Sequence, residues 1–445
     1  MNTVLFCRRP SEVRVRIPTH DPFTVMAATA NKSKNYDRDG TVVDVKLFKA
    51  IGLFQILSAG GRWHRTALQI GLCTYFGSII LNVACLYLAS NDFQRLTYLS
   101  LLIIIAAMYA LKAYVLLVNA DRLWAVLDLA RYAFTSCGQR DPSRLSRCRT
   151  ALSTLLHALV VINYGAAVVW LVSPFFVQDK RLSVTHLDRD VKEYRIGIFN
   201  LWVPMSNAAY NSPVGWSLVY AYEAFILFFN CTVWSLFDCY LLTACFSLNA
   251  QFHTLTAGYA ALGWRSPLRD TTDTPRHGDD RYRDLISLIK DNQQIVKKHD
   301  DFHHAVQVVV ILQIANCSVT GVLAIFFIAL MFMSGWSLMS PLVLKIIGTY
   351  VVVEIQLGIY CYAFSYVEIA KSAVNFGLYS SNWTEMNLKF KKTILTAMNM
   401  NICHKRITKL TPTTVINLEL ICRVIKTSYS IVSLLLNTTV EKTIK

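Results

Sequence analysis

The sequence predicts an all-α membrane protein with seven transmembrane helices, its N-terminus cytosolic, its C-terminus extracellular, and a cytosolic helical anchor region below the bundle. Three observations carry this. Of the 445 residues, 54% are hydrophobic and only 16% charged, well under the roughly 25% charged of a soluble domain. Apolar segments recur at about 66–90, 97–119, 150–173, 214–247, 305–333, 341–371 and 413–437, each long enough for the ~20 residues that cross a bilayer. With the N-terminus inside, 32 of the 44 lysines and arginines fall on the cytosolic side and 8 on the other, as the positive-inside rule requires.

Composition also excludes classes of function. The net charge of +16 is placed in loops between apolar runs, so it reports membrane topology and points to the lipid bilayer, with no nucleic-acid partner. The 12 cysteines lie in predicted helices, the N-terminal arm or cytosolic loops and form neither a disulfide framework nor a CxxC zinc site. No Ser/His/Asp triad, phosphate-cradling glycine loop or supported carboxylate pair is present. The chain is not read as an enzyme, and no cofactor or metal is expected. The inside-out orientation, with no acidic-Arg-Tyr motif after the third span, argues against a G-protein-coupled receptor.

Residues 1–65 form a basic cytosolic arm. MNTVLFCRRPSEVRVRIP lacks the apolar run of a signal peptide, and VVDVKLFKAIGLFQIL has the pattern of a short interfacial helix. Residues 66–371 hold the first six spans. The fourth, 214–247, is a ~51 Å helix, longer than the ~30 Å apolar core. It and 341–371 therefore project beyond the membrane, carrying Asp238, Asn249, Gln251 and Glu368 as polar members of the cytosolic layer. The segment 174–213 holds five basic and four acidic residues together with Trp202, Pro204, Tyr210 and Pro213, the composition of a folded lid. Residues 372–411 form a cytosolic loop with a half-length anchor helix from Leu388 to Ile402, and 412–445 the last helix with its extracellular tail.

That last helix is opened by Thr411 as a cap and Pro412 as first residue. Glu419, Arg423, Lys426, Ser430, Ser433 and Asn437 recur at steps of three and four, one polar stripe along it. A spanning helix turns such a stripe toward protein or water, because polar groups facing lipid cost several kcal/mol each, on the order of magnitude measured for unsatisfied groups. Either the stripe lines a pore, or it is satisfied by neighbouring helices with Glu419 and Arg423 as an i,i+4 ion pair. His299, His303 and His304 read as a solvated helix start, since the HExxH glutamate is missing. Lys112 and His157 read as packed or snorkelling residues. Glu223 and Glu354, inside apolar runs, are functional candidates or members of buried pairs. The glycosylation triplet at Asn230 falls within a span and is read as chance.

The outer halves of spans two, three, four and six combine aromatics with small residues. They suit a pocket for a small, uncharged, apolar ligand, with Ile105, Met108, Tyr164, Val168, Trp170, Leu171, Tyr220, Tyr222, Phe225, Tyr350 and Val353 as candidate walls. A tyrosine hydroxyl or the Trp170 indole would orient a ligand oxygen.

The runs LFDCYLLTACFSLNAQFHTL, LIKDNQQIVKKHDDFHHAV, CYAFSYVEIAKSAVNFGLYSSNW and LKFKKTILTAMNMN, followed by LTPTTVINLELICRVIKTSYSIVSLLLNT, resemble successive signatures of the insect odorant receptor family over about 214–437. Tyr429 and Ser430 stand on the matching positions of the terminal motif. ICHKRITKL departs from the family's basic-proline turn. The resemblance implies a ligand-gated, non-selective cation channel of the plasma membrane of olfactory sensory neurons, a heterotetramer with a shared co-receptor, in which the last helix of each subunit lines the central pore. The 57 residues between spans four and five lack the co-receptor's insertion, which implies the odorant-binding subunit, for a volatile of ester, aldehyde or terpenoid type. A gustatory-type receptor channel shares this topology. A transporter would need paired broken helices, a pattern the sequence does not show.

Overall fold

The computed structural model describes residues 40–58, 61–88, 93–140, 142–177, 181–185, 191–201, 203, 205–264, 277–333, 335, 340–403, 416 and 418–444. Residues 1–39 of the N-terminal arm, Trp202, Pro204 and the Thr411–Pro412 cap lie outside them.

Two short helices, α1 (Val45–Ala50) and α2 (Leu53–Leu57), come first among the described residues. Gly52, at φ 83°, makes the break between them, a left-handed conformation that costs a residue with a Cβ. Val42, Val43, Phe48 and Leu53 are fully buried, and Phe54 meets Trp124 edge-on at 5.5 Å. The apolar stretch expected at a membrane surface thus packs into the protein core instead. Its residues are buried on both sides of Gly52, not along one helix face.

The long helices follow as α3 (Arg62–Leu88), α4 (Phe93–Val118), the short α5 (Ala120–Val126) and α6 (Ser136–Arg140), then α7 (Ser143–Val172). Next come α9 (Pro213–Ala260), α10 (His277–Met333), α11 (Pro341–Tyr379), α12 (Leu388–Cys403) and α13 (Leu418–Ile444). Among the described residues six helices are long and apolar enough to cross a membrane. The amphipathic α13 is not one of them. In α9 78% of the most apolar stretch is buried, against 50% or less in the others, so this 48-residue helix is the central post. It packs against α4, α7, α10 and α11. Sequence dictates its start: Ser212 Oγ accepts from the Gly215 amide at 3.1 Å, with Pro213 in the first turn, an N-cap and N1 proline together. Ser340 and Pro341 repeat the device on α11.

At 1.5 Å per residue α9 is ~72 Å long, far beyond a bilayer's apolar core. Its far half, with those of α10 and α11, builds a helical layer where side chains satisfy loose backbone groups. Gln251 Nε2 donates to the carbonyls of Leu129 and Arg131, Asn249 to Tyr366 at 2.7 Å, and Lys298 to Ala125 at the end of α5. Asn292, Asn401 and Asn375 form a ladder, at 2.8 and 2.9 Å, that ties α12 to α10 and α11. Asp238 is not a member of this layer; it lies deep in the bundle. At the opposite end, the segment between α7 and α9 folds into an antiparallel hairpin, β1 (Arg181–Thr185) with β2 (Val191–Arg195), and a short helix α8 (Asn207–Asn211).

Candidate functional site: a capped cavity near the hairpin end

Four helices enclose a cavity of about 100 Å³. Each presents one face at helical spacing: Leu101, Leu102, Ile105 and Tyr109 from α4; Asn163, Ala166, Ala167 and Trp170 from α7; Leu227, Asn230, Cys231 and Trp234 from α9; Ile346, Thr349, Val352, Val353 and Gln356 from α11. The sets on α7 and α9 are i, i+3, i+4, i+7 rows, the stripe that looks one way from a helix. Phe199, from the segment after the hairpin, completes the wall.

The cap is clamped to the bundle from two sides. Buried Glu223 accepts the amides of Ile198 and, at 2.8 Å, Leu201, and Lys345 Nζ donates to the Ile198 carbonyl at 2.8 Å. Asn200, at φ 58°, makes the turn between them, a left-handed conformation that asparagine tolerates. Phe199 then lies on the Trp170 ring at 5.3 Å between centroids, with Lys345 Nζ 4.4 Å from that ring. The Trp170 indole donates to Thr349 Oγ1 at 3.1 Å, so it braces α7 on α11 and is already engaged.

Below the cavity the wall merges with a buried polar network. Lys112 Nζ pairs with Asp238 Oδ1 at 2.9 Å. The same carboxylate accepts from Tyr360 OH and Gln356 Nε2, both at 2.6 Å, and from the Trp234 indole. Gln313 Nε2 donates to Gln356 Oε1 at 3.1 Å. Lys112 is 1% exposed, which corrects the expectation that it packs alone or snorkels: α4, α9 and α11 share one buried ion pair, and α10 joins it through Gln356. Glu354 keeps a buried carboxylate oxygen with no hydrogen-bond partner among the described residues.

Of the eleven predicted wall residues, Ile105, Trp170 and Val353 line this cavity. Val168 and Phe225 are exposed on the bundle surface, off the i, i+3, i+4, i+7 rows. Tyr164 tilts onto Phe228. Tyr220 stacks on Trp216 and donates to the Leu171 carbonyl at 2.8 Å, nearer the hairpin. Tyr222 reaches Thr74 on α3, Tyr350 faces Gly321 on α10, and Met108 is buried outside the wall. Sequence reasoning did not place Asn163, Asn230, Thr349 or Gln356 in a wall, and met Asn230 only as a chance glycosylation triplet. The signal was present: amides and hydroxyls within apolar runs, which are rare unless they find partners or ligands.

On α13, Glu419, Arg423, Lys426, Ser430 and Ser433 are all exposed, with Arg423 Nη2 3.0 Å from Glu419 Oε1 and Ser430 Oγ donating to the Lys426 carbonyl. The side chain of Asn437 lies outside the described residues. Leu420 and Ser428 are buried on the opposite side, where α13 meets α10 and α11. The stripe thus faces away from its own subunit.

The six described helices long and apolar enough to cross a membrane, bundled around a mostly apolar cavity, define the class of polytopic helical membrane proteins. Residues 92–429 match the model of the 7tm odorant receptor family, and the chain belongs to that family. Two solved structures share the fold. The insect olfactory receptor OR5 from Machilis hrabei is 12% identical over 88% of this chain and 98% of its own, with a TM-score of 0.68. The same receptor in complex with eugenol is 11% identical over 83% of this chain and 88% of its own, with a TM-score of 0.65. No curated protein matches the chain at the sequence level.

Proposed function

We propose that this chain is the odorant-binding subunit of a ligand-gated, non-selective cation channel of the olfactory neuron's plasma membrane. It binds a small hydrophobic volatile in the cavity capped by Phe199 and assembles with a shared co-receptor into a heterotetramer. In this reading α13 is the seventh span, the N-terminus is cytosolic and the C-terminus extracellular. The capped cavity carries the proposal: it is mostly apolar and walled by four helices, as suits a site for a volatile. That a relative of the same fold is described in complex with eugenol supports a ligand of this size. The outward polar stripe of α13 supports the pore, because a face unpartnered in one subunit is available to a central conduit shared by several.

The test is to express the chain with and without the co-receptor and record currents against a panel of volatiles. Currents that need both subunits are expected, and thiol reagents applied outside should block them when Ser433→Cys is introduced. Odorant responses that persist through a fully labelled Ser433→Cys channel would remove α13 from the pore, and silence to every volatile would remove the odorant reading.

A further inference from the structure

The polar atoms of the cavity wall do not balance. The indoles of Trp170 and Trp234 donate to Thr349 and Asp238. Asn163 Nδ2 donates to the Cys231 carbonyl at 2.8 Å and to Ser235 Oγ at 2.9 Å, which uses both its hydrogens. The Thr349 hydroxyl donates to the Lys345 carbonyl at 2.9 Å, and Gln356 is held at both ends by Asp238 and Gln313. Asn230 differs. It lines the cavity, and its Oδ1 is a buried acceptor without a hydrogen-bond partner among the described residues. A buried acceptor left unmade costs more than a made bond gains. Among the described wall residues the indoles, Asn163 Nδ2, Thr349 and Gln356 are thus committed, whereas Asn230 Oδ1 is left open as an acceptor and the Tyr109 hydroxyl as a donor.

We propose that the cavity selects ligands that carry a hydroxyl, volatile alcohols and phenols, whose O–H donates to Asn230 Oδ1. This rests on the odorant-site reading above. An ester, ether, ketone or aldehyde brings only acceptors and leaves Asn230 Oδ1 unpaired. A hydroxyl can also accept from Tyr109, the wall's other hydroxyl, so it can serve both groups at once. Of the two donors expected from sequence to orient an ester, aldehyde or alcohol oxygen, a tyrosine hydroxyl or the Trp170 indole, the indole is engaged with Thr349.

One hydrogen bond of ordinary net strength, ~1–1.5 kcal/mol, corresponds to roughly five- to tenfold in affinity. The experiment uses the full chain, purified in lipid nanodiscs, and follows its thermal stability against matched pairs on one carbon skeleton, each an alcohol and its methyl ether. The alcohol should half-saturate at five- to tenfold lower concentration than the ether, and Asn230→Leu should erase that ratio. Asn230→Asp, which keeps an acceptor, should retain a preference for the alcohol. Tyr75 is the neighbouring hydroxyl on α3, and Tyr75→Phe should leave the ratio in place. Equal affinities in the unmodified chain, an ether preference, or a ratio that survives Asn230→Leu would overturn the inference and leave the odorant site standing. A ratio lost in Tyr75→Phe as fully as in Asn230→Leu would move the acceptor off Asn230. If no member of any pair stabilises the protein, and a cavity-filling Ala166→Trp changes nothing, the cavity is not a ligand site and both readings fall.

Discussion

The buried pair of Lys112 and Asp238 gives a prediction whose size follows from its geometry. Asp238→Asn keeps the shape of the side chain but leaves the Lys112 ammonium, 1% exposed, without its counter-charge 2.9 Å away. Breaking one side of a buried pair costs about 3–5 kcal/mol. Hydrogen bonds between membrane helices average only ~0.6 kcal/mol in double-mutant cycles, so the charge term should dominate over the donors from Gln356, Tyr360 and Trp234. Lys112→Met should cost less, because three neutral donors still serve the carboxylate. The double variant, Lys112→Met with Asp238→Asn, removes both charges, and replacement of a whole buried pair is often near neutral. The assay is the thermal stability of the purified receptor, read as a double-mutant cycle. A coupling energy of about 2–4 kcal/mol is expected. If the two single changes add, with coupling below ~0.5 kcal/mol, the pair is not an interacting unit and the reasoning fails.

Two further outcomes follow. Glu223→Ala leaves the buried amides of Ile198 and Leu201 unpaired, at about 1–3 kcal/mol each, and should speed hydrogen exchange at both at least tenfold relative to the amides of α9. Unchanged exchange would mean the cap is held otherwise. Ala167→Trp fills the cavity from its wall and should abolish odorant currents, whereas Val168→Trp, next to it but 57% exposed, should leave potency within about threefold, as surface changes do. Equal loss in both would dissociate the response from this cavity.

The sequence made the helices legible and the faces much less so. Apolar length and the placement of lysine and arginine located the long helices, and the Ser-Pro pairs at Ser212 and Ser340 marked two starts. The hairpin was hard to see because β1 and β2 are only five residues each: RLSVT alternates, but VKEYR does not, and so short a match to period two is weak evidence for a strand. The candidate walls chosen by composition share their helices with the cavity but stand mostly at other turns. Tyr220, Tyr222 and Phe225 are conspicuous aromatics, but the wall on α9 runs through Leu227, Asn230, Cys231 and Trp234. Which of several apolar faces looks inward is fixed by the neighbours of a helix, and in a bundle with apolar residues all round, periodicity does not choose among them. The pairing of Lys112 with Asp238 was equally hidden. The residues are 126 positions apart, and each alone reads as an isolated polar group.

Gln356 joins the cavity to the rest of the bundle, and one last prediction rests on it. It lines the wall, donates to Asp238 at 2.6 Å and accepts from Gln313 of α10 at 3.1 Å, and both α10 and α11 pack against α13. A ligand biases such a system only by its differential affinity for two arrangements of these contacts. Moving an equilibrium from 1:99 to 99:1 takes about 5.5 kcal/mol. A ligand of micromolar affinity binds with only about 8 kcal/mol in total. No single site can spend most of its binding on gating and still bind tightly, so either the resting bias is small or several sites share the work. In both cases the coupling residue should be separable from the binding residues. Gln356→Leu keeps an apolar wall of similar size but cuts the link to Asp238 and Gln313. Ligand half-saturation of the purified receptor should stay within about threefold, a shift of under ~1 kcal/mol, while the maximal odorant current falls severalfold. If affinity drops tenfold and the maximal current is unchanged, Gln356 is a binding residue, and the network beneath the cavity is structural support with no part in opening the proposed channel.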